Sequence, residues 1–215
     1  MLKALLEMTW PPARTLIIAG LAVVVVALAA FGGWAWWDAQ QRRTMTATAE
    51  VLARVQPALA PDATADVKLA ATRDLEQILQ RYPSARTVPA AAYELGNVRF
   101  AAGQYAAART AYELALQRGA SGLIATMSRA AVARTWEAER DFNQAAMAYG
   151  ALVKSLDVRS FLYEDALIDQ ARVLELAGKK AEAVAIYQKL LKEVPTAKRS
   201  DDVRSRLASL GTAAR

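Results

Sequence analysis

The sequence predicts an all-α protein, with one N-terminal transmembrane helix followed by an α-solenoid of about four helical hairpins. Three observations carry this. From Leu16 to Trp37 no residue is charged, and a helix of that length spans roughly 30 Å, the thickness of a bilayer core. Beyond it a pattern of small and aromatic residues recurs. Tyr105, Ala108 and Tyr112 are followed 37 residues later by Phe142, Ala145 and Tyr149, and after 38 more by Lys180, Ala183 and Tyr187. No alternating run of β-branched residues follows the apolar segment, so nothing asks for a sheet. The implied organisation is a short tail over 1–14, a transmembrane helix over 15–38, and a repeat domain over 39–215 that ends in a capping helix.

Within the apolar segment, Ala19 to Phe31 is almost wholly hydrophobic. Trp34, Trp36 and Trp37 cluster at one end and Trp10 lies near the other, where indole rings favour the headgroup level. These four are the expected interfacial anchors. Pro11 and Pro12 suit the start of a helix, where a missing N–H costs little. A cleaved signal peptide is the alternative reading, with Ala27-Leu28-Ala29 as a small-x-small site. The apolar stretch runs past that point into the tryptophans, which favours a retained anchor. The small residues Gly20, Ala22, Ala27, Ala29, Ala30, Gly32 and Gly33 permit close helix packing and are also ordinary in membrane helices. Lys3 and Arg14 before the span nearly balance Arg42 and Arg43 after it. A short tail and a large C-terminal domain fit an N-inside orientation.

Each hairpin has its own markers. The turns between paired helices fall at Gly103, Arg140 and Gly178, where glycine takes a positive φ at little cost. Leu75, Ile78 and Leu79 form an apolar stripe ending at Tyr82-Pro83, and Pro195 marks a later helix end. The partner of that first helix is expected from about Gln40 to Gln56, stopped by Pro57, with Pro61-Asp62 continuing the break. A last helix, roughly Ser200 to Leu210, ends at Gly211, and Asp201 and Asp202 suit the positive end of its dipole. It would cover the last hairpin, as a solenoid cap must. Tyr105, Tyr112, Tyr149, Tyr187 and Trp136 read as core.

Composition excludes much chemistry. There is no histidine and no cysteine among the 215 residues. This removes Ser-His-Asp and Cys-His catalysis, ordinary zinc sites, disulfides and thiol redox work. No calcium-loop pattern is present, and no carboxylate pair, Glu164 and Asp165 included, is placed for glycosidase-type chemistry. We therefore expect no enzyme, no cofactor and no metal. The formal charge of +6 reads as a mildly basic repeat surface. Basic pairs such as Lys179-Lys180 and Lys198-Arg199 are short and soon followed by acids, and no nucleic-acid motif accompanies them.

A binding groove is expected where the first helices of successive hairpins line one face. The facing positions are Tyr93, Asn97 and Phe100, then Ala130, Arg134 and Glu137, then Ile168, Arg172 and Glu175. Asn97, Arg134 and Arg172 occupy one equivalent position and form a polar ladder suited to a peptide backbone or a carboxylate. A plainer reading pairs Arg134 with Glu137 and Arg172 with Glu175 as i, i+3 ion pairs. Tyr93 and Phe100 read either as anchors for a partner's apolar side chain or as packing between repeats.

Leu95-Gly96-Asn97, Gly103-Gln104-Tyr105, Ala108, Tyr112 and Ala115-Leu116 stand in register with the tetratricopeptide consensus, and this part of the chain resembles that family. Its spacing exceeds the usual period of about 34 residues, so the loops between units are longer by three or four. The wider layout has a span ending in Gly-Gly-Trp-Ala-Trp-Trp (Gly32 to Trp37), Gln40-Gln41 in the next helix, and a C-terminal repeat domain. It resembles the ancillary subunit of the bacterial Sec translocon. That resemblance implies a single-pass inner-membrane protein whose periplasmic repeats work with chaperones on proteins leaving the translocon. The expected function is a membrane-anchored protein–protein interaction scaffold in the bacterial envelope, with a protein partner at or near the membrane and no nucleic acid. The alternative is a permanent accessory subunit of a respiratory, photosynthetic or secretion assembly.

Overall fold

The computed structural model describes residues 13–211. Among them are nine α-helices, one 3-10 turn and no strand, so the all-α expectation holds. The helices are α1 (Ala13–Val55), α2 (Ala65–Arg81), α3 (Val88–Ala101), α4 (Tyr105–Gln117), α5 (Gly122–Ala138), α6 (Phe142–Lys154), α7 (Tyr163–Leu176), α8 (Lys180–Glu193) and α9 (Ser200–Ser209). Two compact units divide between Thr46 and Ala47.

In the first unit, α1 presents apolar side chains on every side. Ile17, Leu21, Val24, Leu28 and Phe31 are all exposed, and so are Trp34 and Trp36. Among the described residues this is the one helix long and apolar enough to cross a membrane. The sequence reading separated the span from a second helix beginning near Gln40, but α1 runs through without a break. The reason is local: from Trp34 to Val55 there is neither proline nor glycine, and nothing else ends a helix there. Pro57 then falls in the 3-10 turn Gln56–Leu59, just past the end of α1.

The second unit is a run of antiparallel hairpins, α3 with α4, α5 with α6 and α7 with α8, preceded by α2 and closed by α9. Each first helix leaves through one left-handed residue, at Gly103 (φ 75°), Arg140 (φ 64°) and Gly178 (φ 76°). The next N–H returns to a carbonyl five residues back: Gln104 to Arg99 (2.9 Å), Asp141 to Trp136 (3.0 Å), Lys179 to Leu174 (2.8 Å). This satisfies a carbonyl that the helix end would otherwise orphan. The three turns are the same turn, and the sequence reading placed all three.

Alanine fills the contacts between helices. Ala91, Ala92, Ala108, Ala115, Ala133, Ala145, Ala171 and Ala183 are fully buried. Leu75, Leu95 and Val98 join Val51 and Val55 in one cluster, and Tyr149, Leu167, Tyr187, Leu190 and Leu207 join a larger one that reaches α9. The closest approach is at Gly96, where an added Cβ would run into the Tyr112 ring. Gly96→Ala is expected to cost about 2 kcal/mol by overpacking, measured as a lowered denaturant midpoint. A loss under about 0.5 kcal/mol would mean that the ring withdraws freely.

Candidate functional site

The expected groove residues lie on the first helices. Tyr93, Asn97 and Phe100 are on α3, Arg134 and Glu137 on α5, and Arg172 and Glu175 on α7. A cavity of about 380 Å³ opens among Phe100, Arg134, Glu137, Ala138, Tyr149, Asp169 and Arg172. It brings together one expected residue of α3, two of α5 and one of α7. Asn97 and Tyr93 lie outside it, and Glu175 lies further along, toward α9.

What binds these residues to one another differs from the i, i+3 pairing within single helices. Arg172 reaches back to the preceding hairpin and grips Glu137 with both amino groups, Nη1 to Oε1 at 2.6 Å and Nη2 to Oε2 at 2.8 Å. The Tyr149 hydroxyl donates to the same carboxylate at 3.2 Å, and Arg172 also holds Asp169 at 3.0 Å. One hairpin on, Glu175 accepts from the Tyr187 hydroxyl (2.7 Å) and from Arg206 Nε of α9 (3.0 Å). The carboxylates are therefore rungs between hairpins; among the described residues neither Arg134 with Glu137 nor Arg172 with Glu175 forms an ion pair, and Arg172 takes Asp169, three residues before it, instead. Bidentate guanidinium–carboxylate contacts of this kind fix geometry as well as charge.

The rung fails once, and the failure shapes the groove. The position equivalent to Glu137 and Glu175 is Phe100 in the preceding hairpin. Tyr112, left without a carboxylate, donates instead to Asn97 Oδ1 at 2.9 Å, and Asn97 donates to Glu94 at 3.0 Å. Arg134, the counterpart of Arg172, lies over the Phe100 ring at 5.4 Å from its centroid, a cation–π contact. Arg134 is exposed and, among the described residues, makes no ion pair, though its charge acts on Glu137 and Tyr112. Phe100 is half-buried against Tyr105 (5.2 Å between centroids) and Tyr93 against Tyr112 (5.7 Å), so both pack between helices.

A second bridge was invisible in the sequence. Arg109 of α4 stands over the Trp136 ring, its Cζ 3.3 Å from the centroid, and pairs with Glu139 at 2.7 Å. Arg206 was also missed, although the repeated spacing of 12 residues from Glu137 to Tyr149 and from Glu175 to Tyr187 is a readable signal of the rungs. Among the expected anchors, Trp34, Trp36 and Trp37 are exposed on α1, and Trp10 lies outside the described residues.

The rungs tune their own ionisation. The Arg172 hydrogen bonds hold Glu137 below its ordinary carboxylate value against the opposing effect of burial, and Glu137 in turn raises Arg172. Burial raises the Tyr112 and Tyr149 hydroxyls, and burial with Glu175 pushes Tyr187 up to about 12. The tyrosines are thus protonated donors and Glu137 an ionised acceptor at neutral pH. Among the described residues no cluster of metal-ligating side chains converges.

Glu137 is depressed in the folded state, so its contribution is complete above the unfolded value of 4.5 and is lost as pH falls through the lower folded value. Glu137→Gln is expected to cost about 1 kcal/mol at pH 7 for a partly exposed pair and to flatten the acid limb of stability against pH. Urea unfolding between pH 7 and pH 3 reads both, and an unchanged acid limb would remove Glu137 as its source.

A family model described as a tetratricopeptide repeat-like domain matches residues 10–212. Comparison with curated proteins finds no match.

Proposed function

Because the chain belongs to the tetratricopeptide repeat-like family, we propose that it is a membrane-anchored protein–protein interaction scaffold of the bacterial envelope. Residues 15–38 serve as its transmembrane helix and 39–215 as its repeat domain, in the periplasm. The fold is one that typically carries interaction rather than catalysis. One observation carries the reading: a single chain joins a helix of unburied apolar side chains to a hairpin stack with an open polar groove. The translocon-like layout of tail, span and repeats supports a role beside proteins in transit. Trp34, Trp36 and Trp37 set the depth of the helix at the interface.

In the groove, Arg134 over Phe100 is the contact offered to a partner, while Glu137, Arg172 and Glu175 shape its wall. Tyr93 and Asn97 extend it at the α3 end. Mild-detergent purification from native membranes tests this. Translocon or chaperone components should co-elute with the unaltered chain, and Arg134→Glu should reduce their recovery by about tenfold, equivalent to 1.4 kcal/mol, with the unfolding midpoint unchanged. A stoichiometric bioenergetic complex that survives the substitution would favour the permanent-subunit alternative. A C-terminal reporter active only in the cytoplasm would reverse the orientation.

A further inference from the structure

One pair of positions recurs where a second helix meets the hairpin that follows. Each of these second helices carries a buried alanine four residues before a large core residue: Ala71 before Leu75, Ala108 before Tyr112, Ala145 before Tyr149. The residue just after that alanine is Thr72, Arg109 or Ala146. Its counterpart in register, on the next first helix, is the residue whose carbonyl closes the turn: Arg99, Trp136 or Leu174. Arg109 stands over Trp136, and Ala146 and Leu174 are both buried. Thr72 and Arg99 do neither. A cavity of about 640 Å³ opens there, between α2, the end of α3 and the start of α4. It shares no lining residue with the groove cavity at Arg134.

The lining explains what the cavity can hold. Thr72 is short, and its hydroxyl is spent within α2 on the Lys68 carbonyl at 2.9 Å. Arg99 is half-buried; its Nη1 donates to the Ala107 carbonyl at 3.3 Å and its Nη2 to Glu76. Every N–H of a guanidinium lies in its plane, so these two bonds engage its edge and cover neither face. Lys68 ties α2 to the end of α3 by donating to the Ala101 carbonyl at 3.1 Å. Leu69 lines the cavity and is 49% exposed. Charge selects weakly here. Lys68, Arg73 and Arg99 line the space against Glu76, Asp66 stands one turn before Leu69, and Asp74 pairs with Arg54 instead.

We infer that this cavity receives an aromatic side chain of a partner protein, laid on the face of Arg99 as Trp136 lies beneath Arg109 one hairpin on. The inference rests on the interaction-scaffold reading above and not on the anchor. The face of an aromatic ring is electrically negative and attracts a guanidinium laid against it, while Leu69, Ala101 and Ala107 offer apolar walls to the rest of the ring. An aliphatic side chain would fill the space without using the cation, and a carboxylate would compete with Glu76 for a guanidinium edge already engaged. Half of Leu69 stays in water whatever sits inside, so a ring carried on a chain that passes over Leu69 removes more apolar surface from water than a free ring does.

The absence of cysteine allows a single thiol to be placed at the cavity. Gln104 lines it, is exposed, and makes no side-chain cap to α4. The detergent-solubilised full chain with Gln104→Cys is exchanged, under mercaptoethanol, with disulfides that carry an indole, a cyclohexyl or a carboxymethyl group on one common linker. Intact mass reads the capture. Indole should exceed cyclohexyl by about fivefold. At Gln188→Cys, exposed on α8, the two should be captured equally. Arg99→Lys keeps the charge and loses the flat face, and should remove the preference. So should Thr72→Trp, which fills the cavity from within. The comparison among disulfides leaves Arg99 and Thr72 native and stands if either variant fails to fold. A Gly-Ser peptide with one central tryptophan should displace captured indole at about a fifth of the concentration that N-acetyltryptophanamide needs. Equal capture of indole and cyclohexyl overturns the inference, and so does a preference that survives Arg99→Lys or recurs at Gln188→Cys. Carboxymethyl capture above indole overturns it in favour of an anion site, and equal competition by amide and peptide overturns it in favour of a small aromatic ligand. If indole capture fails while Arg134→Glu still lowers co-elution, only this inference falls. If indole is captured while co-elution ignores Arg134→Glu, only the groove reading falls.

Discussion

Helices that meet through alanine and glycine set the conditions for everything else in the repeat unit. Ala91, Ala108, Ala133, Ala145, Ala171 and Ala183 are fully buried, and Gly96 takes the face of Tyr112 where no side chain would fit. Small residues bring backbones close, but each contributes little apolar area to be removed from water. A single hairpin therefore buries too little to stand alone, and its stability comes from the hairpins on either side. The large side chains, Tyr112, Tyr149, Leu167, Tyr187 and Leu190, fill the spaces this close approach leaves.

The tyrosines that provide bulk also carry hydroxyls, and these need partners when buried. The solution recurs: the hydroxyl donates to a carboxylate on the first helix of its own hairpin, and an arginine of the next element closes on the same carboxylate. Core packing, hairpin order and groove electrostatics are joined in one contact. The same contact limits where recognition can occur. Glu137, Arg172 and Glu175 are committed to holding the stack. Where Phe100 replaces the carboxylate, the Arg134 guanidinium lies over an aromatic ring instead.

Much of this was legible from residue spacing. The turn at Arg140 was placed in register with Gly103 and Gly178 although it is not glycine, because its position in the repeat was clearer than its identity. The left-handed backbone there shows that the turn dictates the residue's conformation. The caps of α2 and α6, Thr64 and Asp141, and the end of α9 at Gly211 follow ordinary helix chemistry. The pairing of charges was not legible. Arg172 and Glu175 lie one turn apart in sequence, yet Arg172 pairs with Glu137, 35 residues earlier. Local spacing names the neighbours available along one helix; it does not say which competitor arrives from the next. Likewise Arg109 on Trp136 depends on how the second helix of one hairpin meets the first helix of the next, which no single helix pattern contains. The unbroken α1 differs for another reason: the sequence reading began a second helix near Gln40, but no proline or glycine between Trp34 and Val55 ends the first.

The role of α9 has a consequence for assembly. Its Arg206 takes the place, beside Glu175, that an arginine on the first helix of a further hairpin would take. Its Val203 and Leu207 complete the core of the last pair. Repeat stacks are open-ended by nature, and an uncovered final hairpin offers a ready seat to the first hairpin of another molecule. Here both the apolar seat and its charged latch are already filled from within the chain. An end-to-end contact through this face would first have to displace α9 from the core and break the Arg206–Glu175 bond.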